Sequence, residues 1–78
     1  MYMHEMYTFD EIIQKFRDKE LDVEKWNFCI HREGEGKAGA YIMGEGSEQC
    51  LASKHGFNNE QEVIDLYKSL GVKYILPI

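Results

Sequence analysis

The chain has 78 residues, 44% hydrophobic and 13% aromatic, with 14 acidic side chains against 9 basic ones and a formal net charge of −5. A chain of that length builds one core and buries only about 60% of its unfolded surface, while its apolar share excludes a disordered polymer. The charge disfavours non-specific attraction to nucleic acid or anionic lipid, and no apolar run nears the ~20 residues that span a bilayer. The reading is therefore a single cytoplasmic domain with no membrane and no direct nucleic-acid contact.

Residues 1–6 carry neither the basic nor the apolar region of a secretory leader, and they are expected to form a flexible arm or an added edge strand. Structure begins at Thr8-Phe9-Asp10-Glu11, the pattern of a capping box in which the Thr8 hydroxyl and the Glu11 carboxylate each satisfy the other's backbone donor. Phe9, Ile12, Ile13 and Phe16 then recur at helical spacing and form one apolar stripe. This first helix is expected to fade between Lys19 and Asp22.

From Lys25 the period changes from 3.6 to 2. Trp26, Phe28 and Ile30 alternate with Asn27, Cys29 and His31, which predicts a strand. Gly34-Glu35-Gly36 supplies a three-residue hairpin loop that would pair Glu33 with Lys37, Ile30 with Ala40 and Phe28 with Ile42. Trp26, Phe28, Ile30, Ala38, Ala40 and Ile42 thus share a face, where the small alanines leave room for a helix. Cys29, Tyr41 and Met43 fall on the other. A second turn at Gly44-Glu45-Gly46-Ser47 leads to a short strand over residues 49–54, with either Cys50 or Leu51 inward.

A second helix opens at Asn58 or Asn59, buries Val63, Leu66, Tyr67 and Leu70, and stops at Gly71, where Val72 is placed for a Schellman contact onto Tyr67. Tyr74, Ile75 and Leu76 make a final strand, and Pro77 suits a sheet edge. The order α-β-β-β-α-β gives an α+β fold: one mainly antiparallel four-stranded sheet with two helices on one face. The other face is left uncovered.

Several constellations resemble functional motifs without their context. Residues 34–39 match G-x-G-x-x-G, but a strand follows instead of the helix that would hold a pyrophosphate, and Glu33 and Glu35 repel phosphate. Cys29, His31, Cys50 and His55 have zinc-binding atoms, but a meander separates the first and third strands by roughly 10 Å. No metal and no cofactor are expected, and the two cysteines read as free thiols. His31, Arg32, Lys54 and His55 suggest an acid, a base and a phosphate clamp, yet no residue is evidently placed to orient either imidazole. The element order is similar to that of double-stranded RNA-binding domains, but Asn59, Glu60, Gln61 and Glu62 open the second helix where those domains carry basic residues.

What remains is acid at exposed tips and an uncovered sheet face. Glu33, Glu35, Glu45 and Glu48, with Tyr41 and Met43, are the candidate interaction residues. They suit a non-enzymatic protein–protein interaction module whose partner has a basic surface. By analogy of size and charge, such a module fits an inhibitor encoded by a phage or mobile element that occludes a basic groove on a host defence protein. A homodimer through the helix-free face would bury Tyr41 and Met43. Two other readings stand beside this one: a homodimeric binder of a nucleotide-type ligand held by Arg32, Lys37, Lys54 and His55, and a small metal-independent hydrolase or nuclease.

Overall fold

The structure is a computed structural model that describes residues 7–44 and 50–78. Its elements follow the expected order: α1 (Phe9–Arg17), β1 (Asn27–Gly34), β2 (Lys37–Met43), β3 (Cys50–Phe57), α2 (Glu60–Ser69) and β4 (Ile75–Pro77), with a 3₁₀ turn at Val23–Lys25. The sheet order is β3-β2-β1-β4, antiparallel except that β4 runs parallel to β1. The α+β fold read from the sequence is the fold observed.

Local signals set the helix ends. The Thr8 N–H donates to Glu11 Oε1 at 3.0 Å and the Glu11 N–H to Thr8 Oγ1 at 3.1 Å, closing the capping box. At the start of α2, the Glu62 N–H donates to Asn59 Oδ1 at 2.9 Å. At its end, Gly71 takes φ 90°, its N–H reaches the Lys68 carbonyl at 3.0 Å, and the Val72 N–H reaches that of Tyr67 at 3.2 Å. Those two bonds are the Schellman pair, and only glycine adopts such a φ without penalty.

The core lies between the helices and one sheet face. Phe9, Ile12, Ile13 and Phe16 of α1 and Val63, Tyr67 and Leu70 around α2 close over Phe28, Ala38, Ala40, Ile42, Leu51 and Ala52. Phe28 is the hub: its ring stands edge-on to Phe16 at 5.1 Å and to Tyr67 at 5.0 Å, so one strand residue ties both helices down. The Tyr67 hydroxyl, on a fully buried side chain, donates to the Cys29 carbonyl at 2.8 Å and also lies 3.3 Å from that of Tyr41. Burial pushes the Tyr67 phenol well above its ordinary range, which keeps it a proton donor to β1 and β2.

The pairings Ile30 with Ala40 and Phe28 with Ile42 hold as expected, but the hairpin differs near its tip. Gly34, not Glu33, pairs with Lys37, and Glu33 is the extra residue of a bulge. Gly34, Glu35 and Gly36 have φ of 91°, 53° and 79°, so the loop is a two-residue Glu35-Gly36 turn whose twist matches the strands, with the bulge absorbing the extra residue. Strand β3 is also longer than expected, running on to Phe57, and bulges twice. At Leu51 the bulge lets both Leu51 and Ala52 reach the core while Cys50 pairs with Met43, which decides the register left open by the sequence. The second bulge spans His55 and Gly56, the latter at φ 82°.

Phe28 is 1% exposed, so Phe28→Ala should destabilise the domain by about 3–5 kcal/mol, the usual result of emptying an aromatic core site. Urea denaturation followed by circular dichroism measures this, and a variant as stable as the wild type would remove Phe28 from its place at the centre of the core.

Candidate functional site

Because side chains alternate along each strand, the face opposite the helices receives the residues left over from the core. Pairing aligns Leu76, Cys29, Tyr41 and Ser53 across the four strands. One step toward the hairpin, His31 pairs with Gly39. Cys29 is buried, and burial first, then the nearby Cys50, pushes its thiol up out of the reactive range.

Above that row the polar side chains converge. The Tyr41 ring stands edge-on between two imidazoles, 5.3 Å from His55 and 6.3 Å from His31 by ring centres. The Tyr41 hydroxyl lies 3.3 Å from His55 Nε2. On its other side, His55 Nδ1 donates to Glu33 Oε2, while Glu33 Oε1 accepts the Gly56 N–H at 3.1 Å. His31 Nδ1 donates to the Ile78 carbonyl at 2.9 Å. Both imidazoles therefore have an orienting partner, contrary to the expectation from spacing alone.

Glu33 is on β1 and His55 on β3, with β2 between them. Their contact crosses Gly39, where an added Cβ would sit 2.7 Å from Glu33 Oε2 and 3.2 Å from His55 Nδ1. The bulges at Glu33 and at His55-Gly56 turn both residues toward that bare backbone. Bulge, glycine and bulge together build a carboxylate–imidazole–phenol chain across three strands. The sequence held one sign of it: a glycine inside a central strand often marks close approach by another group.

The residues grouped as a ligand site are divided by the sheet. Arg32 Nε pairs with Glu60 Oε1 of α2 at 2.9 Å, and Lys54 Nζ with Asp10 Oδ1 of α1 at 3.4 Å, so both cations lie on the helix side. His55 faces away from them, and Lys37 is exposed beside the turn. Of the acidic tips, Glu33 is folded back, its side chain 21% exposed. Glu35 projects from the turn, and Glu45 and Glu48 lie outside the described residues. The Glu35 turn and Gly44, which precedes Glu45, are at opposite ends of β2. Met43 is half-buried on the helix-free face, between Asn27 and Cys50.

Among the described residues, no three His, Cys, Asp or Glu side chains converge in a metal-holding cluster, and both cysteines are free thiols. None of the main cavities is lined by His31, Glu33, Tyr41 or His55. Among the described residues, no helix is long and apolar enough to cross a membrane. No protein-family model matches the chain, and neither a curated protein nor a solved structure matches it.

The hydrogen bond from His55, and then that from the Gly56 N–H, hold the Glu33 carboxyl below the ordinary carboxylate range. A depressed folded value means that Glu33 contributes stability above its unfolded value of about 4.3, and that this is lost as pH falls through the lower folded value. Gly39→Ala should push the Glu33 carboxylate off His55 and raise its titration toward the ordinary value, with little loss of stability, because the displaced atoms end a flexible side chain. Carbon-detected NMR titration of the Glu33 carboxyl reads the effect. An unchanged midpoint in that variant would show that the pairing does not depend on the bare backbone of Gly39.

Proposed function

We propose that the protein is a non-enzymatic interaction module that docks on a protein partner with a basic surface. Its specific form is an inhibitor, of the kind carried by phages or mobile elements, that occludes a basic groove on a host defence protein. The helix-free sheet face carries this reading: Tyr41 stands between His31 and His55 on paired strands, with no main cavity opening among them. Flat surfaces with a rigid aromatic at the centre are typical of protein interfaces, in which tyrosine is enriched among the residues that dominate affinity. Small-molecule sites are concave. The net charge of −5 favours approach to a cationic partner, and the pairing of Arg32 and Lys54 to carboxylates removes two cations that would oppose it.

One observation favours a second reading, metal-independent hydrolysis. The Glu33–His55–Tyr41 chain has the order of a carboxylate that orients an imidazole, which in turn accepts from a hydroxyl. Against it, Arg32 and Lys54, the basic residues adjacent in sequence to the histidines, are on the other side of the sheet.

Tyr41→Ala should weaken the partner complex tenfold or more, as for a central interface tyrosine, with the melting temperature little changed. Wild-type association should slow as salt rises toward about 0.5 M, where the Debye length is roughly 4 Å. Proteins captured from a host lysate by the wild type and not by Tyr41→Ala, then measured by surface plasmon resonance, supply the comparison. Turnover of phosphodiester or ester substrates that disappears in His55→Ala would instead establish the hydrolase.

A further inference from the structure

Among the described residues, the exposed large hydrophobic side chains are Tyr74 at 81%, Leu76 at 45% and Ile78 at 60%, at alternate positions in and on either side of β4. Tyr74 and Leu76 also border a cavity. That cavity, about 420 Å³, opens at the end of the sheet away from the hairpin, between the 3₁₀ turn and the segment joining α2 to β4, and Trp26, Phe28 and Val72 line it. Its volume suits an aromatic group. A protruding tyrosine and a hole roomy enough to take one therefore lie side by side on one patch.

The rim narrows the choice of occupant. Glu24 and Lys73 both border the cavity and are exposed, one of each sign. A strongly basic partner would face Lys73 and a strongly acidic one Glu24. A second copy of this chain, related by a two-fold axis, sets each Glu24 against the partner copy's lysine and each tyrosine against the partner copy's hole. A two-fold interface has this reciprocal property: if one residue meets a second, the second meets the first.

The sheet edges point the same way. The Ile78 N–H donates to the Ile30 carbonyl at 2.9 Å, so that position bonds inward to β1 and the preceding position, Pro77, faces outward. Proline has no N–H to offer there, and β3 at the opposite edge is broken by two bulges. Extension of the sheet by strand addition is thus obstructed at both edges.

We infer that two copies of the protein associate through this patch, each Tyr74 entering the other copy's cavity against Trp26 and Val72, with reciprocal Glu24 and Lys73 pairs at the rim. The patch meets the helix-free face at Leu76, which lies in one row with Tyr41, Cys29 standing between them. Sedimentation equilibrium from about 10 µM to about 1 mM tests it. The expected result is a reversible monomer–dimer equilibrium that Tyr74→Ala weakens tenfold or more. Tyr74 is mostly exposed, so that variant should keep the wild-type melting temperature. Lys73→Glu should weaken the dimer, and adding Glu24→Lys should restore it, a pattern that loss of folding would not produce. A wild type that stays monomeric throughout, a dimer indifferent to Tyr74→Ala, or a charge swap that restores nothing would overturn the inference.

Discussion

Among the described residues, a four-stranded sheet is covered by helices on one face only, and the rest of the structure depends on that. Two short helices bury Phe28, Ala38, Ala40 and Ile42, and because strand side chains alternate, that choice sends every second residue to the opposite side. Arg32 and Glu33 are consecutive, as are Lys54 and His55, yet the sheet parts them. The cations turn toward carboxylates on the helices, and the carboxylate and imidazole turn toward each other. A ligand site drawn from neighbours in sequence is dismantled by this geometry, and a cluster of residues far apart in sequence takes its place.

The cluster needs irregular backbone. Regular strands about 4.8 Å apart would hold Glu33 and His55 on either side of an intervening side chain. The bulges in β1 and β3, the left-handed conformation at Gly56 and the missing side chain at Gly39 remove that barrier together. Bulges are frequent where a sheet aims a side chain at a task. Support comes from the opposite side too, since the buried Tyr67 hydroxyl contacts the carbonyls of Cys29 and Tyr41, on the two strands that carry His31 and Tyr41. The core thereby fixes the strands on which the exposed site stands.

The two ends of the sheet have different characters. Toward the hairpin the surface is polar, with His31, Glu33, His55 and the exposed Glu35 and Lys37. Toward the start of β1 it is apolar, with Trp26 in the cavity wall and Tyr74 protruding beside it. Trp26, just before β1, and Glu33 are seven positions apart, roughly 23 Å at about 3.3 Å per residue. The polar and apolar ends meet along the row of Leu76, Cys29, Tyr41 and Ser53.

The capping box at Thr8, the asparagine cap of α2, the Gly71 stop and the central pairing of the hairpin were legible in the residues themselves, because each rests on contacts within a few positions or on a period that repeats along one segment. The α-β-β-β-α-β order followed from these. The bulges were not legible: an extra residue reverses which side chains face inward, and whether one is accommodated depends on the partner strand. The same holds for the register of β3, in which Leu51 and not Cys50 entered the core. The Glu33–His55 contact spans 22 positions and a third strand, so no local pattern encodes it. Sequence set the elements and their buried faces through short-range chemistry. The tertiary structure decided which exposed residues meet, because that depends on cross-strand pairing and on where the backbone departs from regularity.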